Sequence, residues 1–175
     1  MKIVIPGGTG QVGTLLARAF HKDGHEVVVL GRRLPPNMPW RIMKWDTANI
    51  SGWAKEIDGA DIVINLVGRS VNCRYTPKNR QEILQSRIES AQAVGLAIQT
   101  AKRPPRAWLQ AGTATIYAHT YDTPNDEFSG VIGGHEPDAP DTGASAFKSQ
   151  LRGKKPSTIF QRLKHAKSSC ARHSH

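Results

Sequence analysis

The residues with the clearest chemical potential lie near the N-terminus, in Gly7-Gly8-Thr9-Gly10-Gln11-Val12-Gly13. Glycines at 7, 10 and 13 fit a backbone that must turn tightly and let an anion come close. Glycine tolerates positive φ and has no Cβ to hold an oxygen away. A helix starting just after such a turn offers unpaired N–H groups and the positive end of its dipole. A pyrophosphate is the ligand this combination suits, and Gly13 would then let the helix pack closely. Gly7, Thr9, Gly10, Gln11, Val12 and Gly13 are therefore the expected cofactor-binding set.

Three further stretches could complete a dinucleotide site. Leu30-Gly31-Arg32-Arg33 follows an apolar run. An NAD-selective site usually carries an acid there for the ribose 2′-OH, whereas arginine suits a 2′-phosphate. Arg32 and Arg33 thus favour NADP, with NAD as the alternative cofactor. The competing reading is a solvated surface pair. Asp46, after Trp45, could accept from an adenine amino group or cap the next segment. Leu66-Val67-Gly68 could let a cofactor pass close to the backbone, or form an ordinary turn at a strand end.

The elements that must hold these residues are legible from periodicity. Lys2-Ile3-Val4-Ile5, stopped by Pro6 and glycines, reads as a buried strand. Val12, Leu15, Leu16, Ala19 and Phe20 fall on one helical face, ended by Asp23-Gly24. Residues 26–30 form a second strand and 41–45 a short third. A short helix is expected at 50–57, a fourth strand at 61–66 and a long helix at 78–101. In that helix Leu84, Ile88, Ala91 and Ile98 share a stripe. A fifth strand follows at 107–111. Strands alternating with helices imply βαβ units, hence an α/β, doubly wound, Rossmann-type parallel sheet.

With Ile64-Asn65-Leu66-Val67-Gly68, Asn79-Arg80-Gln81-Glu82-Ile83-Leu84-Gln85-Ser86-Arg87 and Ala111-Gly112-Thr113-Ala114-Thr115-Ile116-Tyr117, the turn makes a more specific set. The chain resembles the extended short-chain dehydrogenase/reductases, and within them the atypical branch of epimerase family proteins. The likeness covers about residues 1–142. It implies NAD(P)-dependent hydride transfer at a carbon bearing a hydroxyl, with a small hydroxylated or carbonyl substrate. It places Thr113 where a Ser/Thr holds the substrate oxygen, although Thr113 could equally be a strand-end hydroxyl satisfying backbone. Asn65 and Arg87 are candidates for the substrate side, or else structural hydrogen-bonding residues.

The sequence departs from the family pattern in two ways. No Tyr-x-x-x-Lys occurs: Tyr75 is followed four residues on by Asn79, Tyr117 by Tyr121 and Tyr121 by Asn125. Tyr117 is the remaining catalytic candidate, with packing near the cofactor as its alternative. Extended members are also about twice as long, so the substrate domain is expected to be missing or incomplete. Two functional readings follow. One is an NADP(H)-preferring oxidoreductase or epimerase-like protein. The other is a catalytically inactive dinucleotide-sensing or interaction protein.

The charge sharpens the domain organisation. The 175 residues carry 24 Lys+Arg against 14 Asp+Glu, a net of +10. Residues 143–175 hold eight of those cations and no acid, which leaves 1–142 nearly neutral. The expected division is a dinucleotide-binding domain over 1–117, a loop over 118–142 and a basic tail over 143–175. With little apolar periodicity to bury, the tail is expected to be disordered. Charge confined to a tail gives only salt-sensitive attraction to polyanions, so no specific nucleic-acid partner is expected. No apolar run approaches the ~18 residues of a spanning helix. Cys73 and Cys170 suggest neither a disulfide framework nor a metal site. A cytoplasmic protein with no membrane or metal partner is expected.

Overall fold

The computed structural model describes residues 1–112, 117–118, 120, 122–126 and 128–131. Met1–Gly112 forms one compact unit, and Thr113–His175 belongs to a second. The first unit runs β1 (Lys2–Pro6), α1 (Gln11–Lys22), β2 (Glu26–Gly31), β3 (Arg41–Lys44), α2 (Ser51–Ile57), β4 (Ile62–Asn65), α3 (Pro77–Thr100) and β5 (Ala107–Gln110). Each expected element is present, with bounds shifted by a residue or two.

All strand pairs are parallel, in the order β3-β2-β1-β4-β5. β1 is central, and Ile3, Val4 and Ile5 are wholly buried. A parallel strand covered on both faces needs such a continuous apolar run. Alternation sorts its neighbours. Ile3, Ile5, Val27 and Val29 pack with Ala17, Leu16 and Phe20 of α1. Val4 pairs with Val28 and Val63, and this face meets α3 at Asn65, whose side chain bonds Ser90.

The phase of α1 differs from the apolar spacing. Gly13 and Ala17 are buried, Leu16 and Phe20 half-buried, while Val12 and Leu15 are 60% and 58% exposed. The helix presents its smallest residues to the sheet because close approach outweighs the burial of two larger side chains. In α3 the buried line is Ile83, Ser90, Ala93, Val94, Ala97 and Ile98. Leu84, Ile88 and Ala91 flank it half-buried, so the expected stripe is rotated by part of a turn. Thr76 caps α3 by accepting from the Asn79 N–H at 3.2 Å, and Pro77 opens its first turn.

At the N-terminal edge of the sheet, Glu56 is buried and takes charge from two strands. Its carboxylate meets Lys2 of β1 at 3.4 Å and Arg41 of β3. Trp53 stacks on Trp45 with ring centroids 4.5 Å apart, and its indole N–H donates to the Asp46 carbonyl at 2.6 Å. Among the described residues no helix is long and apolar enough to cross a membrane.

In the second unit, Ala118 N–H donates to the Val131 carbonyl at 2.7 Å and Asn125 to the Ala118 carbonyl at 3.0 Å. Asp126 accepts from the N–H groups of Phe128 and Ser129, which holds its carboxyl below the usual range.

Candidate functional site

The glycine turn joins the C-terminal end of central β1 to α1. Parallel order puts the ends of β2, β3 and β4 along the same edge, where open α/β sheets bind ligands. The turn is built tightly. Gly7 has φ +78°, and a Cβ there would fall 2.7 Å from Val67 N and 2.9 Å from the Leu66 carbonyl oxygen. Its N–H donates to the Leu30 carbonyl at 2.8 Å, and Leu66 N–H donates to the Pro6 carbonyl at 2.8 Å. Gly7 thus sits between the ends of β2 and β4. A Cβ on Gly13 would overlap the Gly8 backbone. Gly13 therefore packs against the turn itself, closing the helix onto it.

Gly10 is different. Its φ is −76° and its ψ 173°, values open to any residue. A Cβ there would meet only the Gly7 carbonyl oxygen, at an ordinary 3.5 Å. Nothing in the fold demands glycine at 10, and the residue is exposed. Gly10 is also the N-cap of α1, with no capping side chain and no acid in the first turn. Among the described residues the N–H groups of Gln11, Val12 and Gly13 have no acceptor. These are the donors and the open approach that a phosphate needs. The residues present fit a dinucleotide pyrophosphate.

Arg32 and Arg33 leave the end of β2 exposed, with no ion pair or side-chain hydrogen bond among the described residues. Gly31 is a site residue that spacing alone did not reveal. A Cβ there would meet the Thr9 side chain, with Oγ1 at 2.9 Å. Thr9 therefore rests on the end of β2 and draws the turn towards Arg32. The available signal was a glycine between an apolar strand and an arginine pair.

Asp46 follows β3. Its Oδ1 accepts from Ala48 N–H at 2.9 Å, closing a short turn. The N-cap of α2 is Ile50, so the carboxylate caps this turn and not the helix. A hollow of about 310 Å³ opens beside it, lined also by Lys44, Asn49 and Trp53.

At the end of β4, Asn65 is fully buried. Its Nδ2 donates to Gln110 at 2.8 Å and Ser90 at 3.3 Å, and its Oδ1 accepts from Val67 N–H at 3.1 Å. Asn65 is thus structural, joining β4, β5 and α3 and shaping Leu66-Val67. Gly68 is exposed, and its N–H has no acceptor among the described residues. A polar network missed in the sequence fixes the chain beyond it. Arg69 N–H donates to Ser86, and its guanidinium pairs with Glu82 and donates to Asn79 at 2.9 Å. Arg87 donates through Nη1 to the Ile83 carbonyl at 2.8 Å and the Arg69 carbonyl at 3.3 Å.

Of the two catalytic candidates, Thr113 lies outside the described residues. Tyr117 lies in the second unit, where its ring packs on Gly130 so closely that a Cβ there would overlap it.

Comparison with known proteins converges on one family. Residues 3–137 match the family described as NAD dependent epimerase/dehydratase. The chain is 30% identical to the epimerase family protein SDR39U1 of Bos taurus over 132 residues, 74% of this chain and 42% of that protein. It is 34% identical to epimerase family protein YfhF of Bacillus subtilis over 121 residues, 67% of this chain and 39% of that one. The structure of human SDR39U1 with NADPH superposes with TM-score 0.67 at 29% identity, covering 86% of this chain and 48% of that one. A Burkholderia cenocepacia structure described as a putative epimerase shares the fold at TM-score 0.63 and 19% identity, covering 86% of this chain and 49% of that one. The chain spans about two fifths of the length of these curated relatives and about half that of the solved structures. With the parallel order β3-β2-β1-β4-β5 and a glycine turn open to phosphate at its centre, the chain belongs to the NAD dependent epimerase/dehydratase family.

Proposed function

We propose that this chain binds NADP(H) across the C-terminal edge of its sheet, in preference to NAD(H). The observation that carries the reading is Gly10. It is a glycine that the fold does not require, at a helix start whose N–H groups lack acceptors among the described residues. Gly7, Thr9, Gly10, Gln11, Val12 and Gly13 would cradle the pyrophosphate. Arg32, with Arg33 beside it, would hold the 2′-phosphate. Asp46 would meet the adenine amino group, and Leu66, Val67 and Gly68 would line the path beyond. The NADPH named with the human relative supports the 2′-phosphate assignment.

When bound, the cofactor supplies hydride exchange at a carbon bearing a hydroxyl or carbonyl oxygen. The chain's own part is to bind and orient. Backbone N–H groups neutralise the phosphates, the arginines select the 2′-position, and Asn65 holds the β4 exit in shape. The proposed substrate is a small hydroxylated or carbonyl compound, with Thr113 holding its oxygen and Tyr117 as proton donor or acceptor. The proposed organisation keeps 1–117 as the dinucleotide domain, 118–142 as a loop and 143–175 as a basic tail. The proposed setting is cytoplasmic.

A second reading, a catalytically inactive dinucleotide-sensing or interaction protein, is favoured by the missing Tyr-x-x-x-Lys. Titration of the full chain with NADPH and NADH tests the binding, and NADPH is expected to bind the tighter. Equal affinities would refute the preference. Substrate-dependent oxidation of NADPH would exclude the inactive reading.

A further inference from the structure

The glycine turn ends central β1, Arg32 ends β2 on one side, and Gly68 follows β4 on the other. If Arg32 reads the 2′-phosphate, the adenosine half lies towards β2 and β3. The nicotinamide half then extends over the end of β4, where Arg87 lies. A Cβ on Gly68 would stand 3.2 Å from Arg87 Cζ, 3.3 Å from Nη2 and 3.5 Å from Nε. These near-equal distances set the guanidinium close against Gly68, where a side chain would make it give by a few tenths of an ångström.

Arg87 is partly buried, and its hydrogen bonds from Nη1 go to two carbonyls. Among the described residues no carboxylate pairs with it, and nearby Glu82 is engaged by Arg69. Nη2 and Nε have no partner within the described chain. Burial pushes the guanidinium below its ordinary value, against an opposing contribution from Tyr75, yet arginine stays charged at neutral pH. The β4 exit therefore holds a fixed positive charge that no carboxylate among the described residues neutralises.

Oxidised nicotinamide carries a positive ring, and the reduced ring is neutral. We propose that Arg87 is a specificity-determining residue that favours the reduced over the oxidised cofactor through this uncompensated charge. The inference rests on the NADP(H) reading above. A like charge about 4 Å away in water shifts such a ratio about fivefold.

The test is calorimetric titration of the full chain with NADPH, NADP+ and adenosine 2′,5′-bisphosphate. The variants are Arg87→Gln, Arg87→Lys and Arg87→Met, the last keeping the apolar stem in case the Gln variant melts early. The unaltered chain is expected to bind NADPH tighter than NADP+. Loss of charge in the Gln or Met variant narrows that ratio about fivefold, while Arg87→Lys preserves it. Adenosine 2′,5′-bisphosphate, which lacks the nicotinamide half, binds all variants alike. An unchanged ratio in the uncharged variants overturns the proposal, as does a Lys variant that matches them or equal weakening of all three ligands. Failure of the unaltered chain to bind any of the three would instead refute the cofactor reading itself.

Discussion

Gly7 and Gly10 are glycines for opposite reasons, and substitution separates them. At Gly7, positive φ and backbone atoms under 3 Å from a Cβ make any side chain a folding problem. Gly7→Ala is expected to lower stability by about 2 kcal/mol or more, read as an early melt. At Arg32 the expected effect is on binding alone. The exposed side chain has no partner among the described residues. Its removal should leave the melting temperature unchanged. A charge-assisted bond to a 2′-phosphate contributes about 1.5–3 kcal/mol, so Arg32→Ala should weaken NADPH at least about tenfold and leave NADH unaffected. Parallel titrations check this, and equal loss for both cofactors would place Arg32 elsewhere in the site. The glycine turn and the arginine pair were legible as residue types in order. Gly31 was not, because its role depends on Thr9 lying over it, a contact between segments that sequence spacing does not record.

At the scale of elements, the sheet edge proposed to bind the cofactor is braced from the opposite edge. Glu56 of α2 draws Lys2 of β1 and Arg41 of β3 together. Removing one member of a buried ionic cluster leaves charge without a partner, at a cost of about 3–5 kcal/mol. Arg41 is half exposed, which lowers the figure for this pair. Glu56→Ala is expected to destabilise by about 2–3 kcal/mol, with Glu56→Gln milder. Urea unfolding measures both, and a change under about 0.5 kcal/mol would show that the cluster is not stabilising. All eight elements could be read from periodicity and turn residues. What periodicity missed was phase. Val12 and Leu15 are larger than Gly13 and Ala17, yet the small pair faces the sheet. The distance between helix and sheet, which a one-dimensional pattern does not contain, decides that. The network of Arg69, Ser86, Asn79 and Glu82 was hidden for a related reason. Its members are polar residues that read as a solvated face until the β4–α3 connection folds back on them.

At the scale of the whole molecule, four strand ends and one helix start converge at the edge of a five-stranded parallel sheet. The convergence makes the cofactor reading a claim about geometry as well as motif, and Gly10 is where the two can be parted. Its backbone suits alanine, and an alanine N-cap in place of glycine costs about 0.5 kcal/mol. If the cofactor's pyrophosphate sits on the N–H groups of α1 as proposed, a methyl group at this adjoining, open position is expected to crowd it. The decisive measurement is therefore a paired melt and NADPH titration of the full chain and Gly10→Ala. The expected result is a nearly unchanged melting temperature with NADPH affinity reduced at least about tenfold. Unaltered NADPH affinity in a folded Gly10→Ala protein would contradict the assignment of the turn as the phosphate cradle.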